Sequence, residues 1–151
     1  MNCADTFFIH YGYLGMALAS FLAGTFVPFS SEAVMGALLA TTGMNPVLTV
    51  LSGTLGNVLG SMFNYYLGRI GNIRQICRWM HVKEQRLLTT RQYVERRGSW
   101  IAFFSFLPAF GTAISIALGL LRANVLGVFL YTLTGKLLRY IIVAYSVLAL
   151  K

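Results

Sequence analysis

Three ionisable side chains stand inside stretches that are otherwise uncharged apart from Asp5 near the start: Glu32, Lys136 and Arg139. Glu32 follows a proline break in Pro28-Phe29-Ser30-Ser31-Glu32. A charge in an apolar segment costs roughly 2.5 to 3.5 kcal/mol on insertion scales, so such residues mark proton or substrate pathways. The competing reading is a first-turn acid that stabilises a helix N-terminus, with Ser30 or Ser31 as the cap. Lys136, Arg139 and Tyr140 stand at i, i+3 and i+4 and share one helix face, where an ammonium and a guanidinium match a phosphate. Snorkelling to the membrane interface is the alternative, better suited to Arg139 than to Lys136. Gly53, Asn57, Gly60 and Asn64 form a stripe, which reads as close helix packing with amide glue or as the lining of a polar path, together with Ser30, Ser31 and Thr112. Cys3, Cys77, His10 and His81 are isolated, and there is no nucleophile elbow, zinc spacing or phosphate loop. No enzyme activity, cofactor or metal is expected.

The elements that must position these residues are set by composition. Of 151 residues 57% are hydrophobic and 11% charged, against about 25% charged in an ordinary soluble domain. The net charge of +8 is unevenly spread: residues 1–68 hold no Lys or Arg, whereas residues 69–97 hold eight basic side chains against two acidic ones. A basic face flanked by two apolar blocks excludes a nucleic-acid module and points to anionic lipid headgroups as the partner. Residues 7–27 are uncharged and long enough to span a core about 30 Å thick. The apolar run from 33 to 40 is too short to span and reads as one arm of a re-entrant hairpin; 47–67 is again of span length. Residues 70–98 read as an amphipathic basic helix, placed in the cytoplasm by the positive-inside rule. Residues 99–121 are cut by Pro108 and Gly111 into two arms of about ten residues, a second hairpin, and 123–150 form the last span.

The two halves repeat. Pro28 falls on Pro108; after one gap Asn45 falls on Asn124, Gly56 on Gly135, Leu59 on Leu138 and Tyr66 on Tyr145. A hairpin returns to its starting side, so the two halves cross in opposite senses. The fold expected is an all-α integral membrane protein, a single domain over 1–151: an inverted repeat of re-entrant helical hairpin plus transmembrane helix (about 7–69 and 99–150) joined by the cytoplasmic basic helix 70–98. Paired broken segments at matching positions are the sequence pointer to a transporter whose site lies near the midplane.

Pro28-Phe29-Ser30-Ser31-Glu32, Gly56-Asn57-Val58-Leu59-Gly60 continuing to Asn64-Tyr65 and Leu67-Gly68-Arg69, Arg97-Gly98, Leu107-Pro108 with Gly111, and Gly135-Lys136 with Arg139-Tyr140 together resemble the DedA family, also called VTT or SNARE-associated, in its small YqaA-like branch. The resemblance covers nearly the whole chain. It implies two facing re-entrant hairpins and lipid handling in the bacterial inner membrane, with relatives implicated in polyprenyl-phosphate or phospholipid translocation driven by the proton-motive force. It matches Glu32 to the acid after the first break, and Tyr93 with Arg97 and Gly98 to a cytoplasmic aromatic-xxx-basic motif. This chain departs from the pattern where Ser99 to Leu107 is uncharged and where Thr112 replaces an acid. The function expected is an inner-membrane, multi-pass transporter or flippase for an anionic lipid such as a polyprenyl phosphate or a phospholipid, coupled to protons. A non-transporting scaffold, or a small-solute or ion antiporter, is the alternative; a homo-oligomer is compatible with either.

Overall fold

The structure, a computed structural model, describes residues 3–25, 30–42, 44–72, 98–107 and 110–150, with single positions at 74, 78, 85, 92, 94 and 95; for residues 3–10 it describes the backbone alone. The described residues lie in helices or in the short connections between them, with no strand among them. Helix α1 is Cys3–Gly24, α2 is Ser31–Thr41 and α3 is Pro46–Ile70. A 3₁₀ helix follows at Gly98–Phe106, then α4 at Phe110–Leu120 and α5 at Val125–Ala149. The basic segment 70–98 lies largely outside the described residues; those described at 74, 78, 85, 92, 94 and 95 are helical.

Local chemistry explains the boundaries. Ser30 has extended backbone and its hydroxyl accepts from the Ala33 amide, so it caps α2. At the other end the Thr41 and Thr42 hydroxyls donate back to the Ala37 and Leu38 carbonyls. Asn45 caps α3 by accepting from the Val47 amide at 3.0 Å, with Pro46 at the first helical position, where a missing N–H costs nothing. Asn124 caps α5 in the same way, accepting from Leu126 at 3.0 Å and Gly127 at 3.2 Å. The two asparagines aligned by the sequence repeat therefore do the same work.

The helices α3 and α5, each of 25 residues, are long and apolar enough to cross a membrane. Both helices turn apolar side chains outward and bury polar ones beside their apolar core. Leu51, Leu55, Leu59 and Phe63 run exposed down α3, and Leu130, Leu138, Ile141 and Tyr145 run exposed along α5, while Thr49, Thr54, Asn57, Ser61, Asn64, Thr132 and Lys136 are buried. Apolar outside and polar inside is what lipid as solvent selects.

Packing divides the chain into two compact units, residues 1–60 with 136–151, and residues 61–135. The first has a core of Met16, Met35, Leu39, Val50, Tyr140 and Ala144. Its α1 and α3 touch through glycine: a Cβ at Gly56 would collide with the Ala17 carbonyl and one at Gly60 with the Phe21 carbonyl, one turn apart on both helices. Gly56 and Gly60 thus form a packing surface. In the second unit the 3₁₀ helix packs on α4, and Gly135 lies against the Phe103 carbonyl. A nine-residue 3₁₀ run is longer than the three or four usual for that helix.

Candidate functional site

The first unit gathers most of the residues singled out from the sequence. Lys136, on α5, is 5% exposed. Its ammonium donates to the Asn57 backbone carbonyl at 2.9 Å and also to Asn57 Oδ1. Because an ammonium has no lone pair, this fixes the Asn57 amide with its oxygen towards Lys136 and its nitrogen away. That nitrogen donates to the Tyr140 hydroxyl at 2.9 Å.

The Tyr140 hydroxyl is the meeting point of four elements. Besides accepting from Asn57 of α3, it lies 2.6 Å from Ser31 Oγ at the start of α2 and donates to Ser20 Oγ of α1 at 3.2 Å. Proton counting orders the set: with its own proton on Ser20, Tyr140 accepts from Asn57 and Ser31, which uses its full capacity. Tyr140 is 1% exposed and Ser20 and Ser31 are buried, so water is not a competitor.

One residue before Tyr140, Arg139 Nη2 lies 2.5 Å from Glu32 Oε1, with both side chains about a quarter exposed (27% and 21%). Ser30 Oγ donates to the other carboxylate oxygen at 3.0 Å. Both sequence readings of Glu32 thus have geometry behind them: it sits in the first turn of a capped helix and it is the partner of a membrane cation. With Lys136, Arg139 and Glu32 ionised the cluster carries one excess positive charge. Buried excess charge is unfavourable unless an anion enters or the cation relaxes outward.

Glu32, Lys136, Arg139, Tyr140, Asn57, Ser30 and Ser31 therefore belong to one constellation. Ser20 belongs to it too and sequence reasoning missed it, because a serine among the apolar residues of α1 carries no signal of its own. Asn64 and Thr112 belong to the second unit, Asn64 buried on α3 and Thr112 half-buried in the first turn of α4. Gly98 is buried at the start of the 3₁₀ helix, beside Val94. Tyr93 and Arg97 lie outside the described residues. Among the described residues no group of His, Cys, Asp and Glu is arranged to hold a metal ion.

The VTT domain model matches residues 27–148. The chain is 32% identical to the inner membrane protein YqaA of Escherichia coli, over 83% of this chain and 84% of that protein. It is 31% identical to the membrane protein YkoX of Bacillus subtilis, over 83% of this chain and 58% of that protein. A 29% identical protein of Haemophilus influenzae matches 83% of this chain and 81% of its own length. No solved structure matches. A domain match that takes in the capped α2, α3, nearly all of α5 and every charged residue of the cluster, with a relative 32% identical over 84% of its own length, makes this chain a membrane protein of the VTT-domain, or DedA, family.

Proposed function

We propose that this protein carries an anionic lipid, a polyprenyl phosphate or a phospholipid, between leaflets of the bacterial inner membrane, and that it moves its substrate without chemically transforming it. The observation that supports this most is the buried Lys136, held on a backbone carbonyl and an amide oxygen within a 25-residue apolar helix, one turn from the Arg139–Glu32 pair. Asn57 supplies neutral oxygens that a phosphate can replace. Glu32 supplies a carboxylate whose protonation frees Arg139 for the same phosphate, so proton and anion enter together. The name of the YqaA relative supports the inner membrane as the location.

In this reading the chain crosses the membrane several times as an inverted repeat, with α2 and α4 as arms of re-entrant hairpins. Two features support the repeat. Asn45 and Asn124 make the same cap, and the Lys136–Asn57 contact joins positions 79 apart, the offset of the repeat itself. Residues that meet their own repeat mates are those expected on the two-fold axis of such an arrangement, where transporter sites lie.

A non-transporting scaffold has one observation in its favour: Arg139 already has a carboxylate partner. Reconstitution separates the two. In proteoliposomes a labelled polyprenyl phosphate should change leaflet faster than phosphatidylcholine, and Lys136→Gln should remove that difference while the variant stays folded. A scaffold moves neither lipid above the rate of protein-free vesicles, and Lys136→Gln then lowers only the melting temperature.

A further inference from the structure

The second unit holds two exposed arginines that the cluster around Lys136 does not use. Arg69 is in the last turn of α3, and Arg122 is in the turn between α4 and α5. Among the described residues neither guanidinium has a carboxylate partner. A cation in the last turn of a helix is ordinary, and an arginine at a membrane interface is ordinary too. Two further features are not.

The first is how Arg69 is held. Tyr65, fully buried one turn earlier, donates its hydroxyl to the Ala123 carbonyl at 2.5 Å, and one of its two lone pairs accepts from Arg69 Nη1 at 2.9 Å. A buried phenol thus links the Arg69 guanidinium to the peptide next to Arg122. The backbones beneath are fixed as well. A Cβ at Gly119 would collide with the Tyr65 carbonyl and one at Gly68 with the Ile116 carbonyl, so α3 and α4 touch at their main chains.

The second is the conformation of Arg122. It closes α4 with φ of 54°, the left-handed region, while the Ala123 amide bonds back to the Leu118 carbonyl at 3.0 Å. This is the helix stop that glycine makes without strain. Glycine stands at position 43, which precedes the capping Asn45 two residues on as Arg122 precedes Asn124. The second half of the chain therefore has an arginine where the local backbone favours glycine, and strain of this kind is retained where the side chain is needed.

We propose that Arg69 and Arg122 form a second anion site, specific for a phosphate group, at the end of the α3 span. Two guanidiniums offer paired N–H donors to one phosphate, and among the described residues no carboxylate competes for them. The site lies where the basic segment begins, the end that the positive-inside rule puts at the cytoplasmic headgroups. It does not rest on transport or on Lys136.

The test is native mass spectrometry of the purified full chain with phosphatidic acid, phosphatidylcholine and inorganic phosphate, alongside melting temperatures. Phosphatidic acid should bind in preference to phosphatidylcholine, and Arg69→Gln and Arg122→Gly should each weaken it about tenfold or more, the scale of a lost charged hydrogen bond. Arg122→Gly should also melt at a higher temperature, because it relieves the backbone strain; a drop in binding with a rise in stability cannot come from unfolding. Exposed Arg78 is the control, and Arg78→Gln should leave binding within about twofold, the spread expected of a surface charge outside the site. Phosphatidic acid displaced by inorganic phosphate identifies the free anion as sufficient, and phosphatidic acid that resists displacement identifies the lipid; either result upholds the phosphate chemistry. Equal loss in Arg78→Gln and Arg69→Gln would mean diffuse attraction to a basic segment and would overturn the site, as would unchanged binding in both Arg69→Gln and Arg122→Gly.

Discussion

Replacing Tyr140 by Phe removes one oxygen and leaves the ring in the core of Met16, Met35 and Val50. That oxygen joins α5 to Asn57, Ser31 and Ser20, so the substitution deletes three interhelical hydrogen bonds. Membrane-protein double-mutant cycles average about 0.6 kcal/mol for such a bond, which puts the three near 2 kcal/mol. The serine hydroxyls can rotate to other acceptors, but the Asn57 amide nitrogen cannot turn, because its oxygen is held by Lys136. An orphaned buried donor adds to the loss, giving about 2 to 3 kcal/mol in all. Ser20→Ala and Ser31→Ala each remove one bond and should cost about 0.6 kcal/mol. Reversible unfolding in bicelles, read by a steric trap, would measure all three variants. Tyr140→Phe combined with Ser31→Ala should be no worse than Tyr140→Phe alone, since the bond is already gone. A Tyr140→Phe loss no larger than that of either serine variant would refute the hub.

Glu32→Gln should abolish the pH dependence of lipid movement in proteoliposomes while the protein remains abundant; loss of protein with normal specific activity in what survives would assign Glu32 to capping. Stability should also fall further for Glu32→Gln than for Glu32→Gln with Arg139→Gln, because the single change leaves a cation without its partner. Gly119→Ala should destabilise by about 1 to 3 kcal/mol, since the new methyl meets main-chain oxygen that cannot move aside, whereas Gly15→Ala, which faces open space, should be neutral or stabilise α1 by up to about 1 kcal/mol in the same unfolding assay. Cysteines placed beside Arg86 should react only with reagents that enter the cytoplasm, and cysteines beside Asn45 only from outside; labelling of the Arg86 region from outside would reverse the orientation and undo the inverted repeat.

The long helices were legible because charge-free length is a strong signal: the span read at 47–67 is α3 at Pro46–Ile70, and the one read at 123–150 is α5 at Val125–Ala149. The short helices were legible for the opposite reason, their truncation by Pro and Gly, and α2 and α4 each have 11 residues. That residues 98–106 would be 3₁₀ was not legible, since apolar periodicity over nine residues does not separate 3₁₀ from α. At the site, helical spacing placed Lys136, Arg139 and Tyr140 on one face. It could not say which partner each would take. The Arg139–Glu32 pair and the Lys136–Asn57 contact join residues about a hundred and about eighty positions apart, and their pairing is decided by how α2 and α3 pack on α5. Asn57 carried a faint signal in being the repeat mate of Lys136. Ser20 carried none.

In the proposed transport a lipid phosphate takes the place of Asn57 on the Lys136 ammonium. Solid-state NMR measures this directly, through the dipolar coupling between ³¹P of the lipid and ¹⁵N of the lysine ammonium in chain reconstituted with a polyprenyl phosphate, with Lys136→Gln identifying the signal. The Lys136 resonance should be dephased by ³¹P, and the dephasing should be lost when the phosphate lipid is replaced by its uncharged alcohol. A Lys136 signal that stays coupled to the Asn57 carbonyl and shows no ³¹P dephasing at saturating lipid would contradict it.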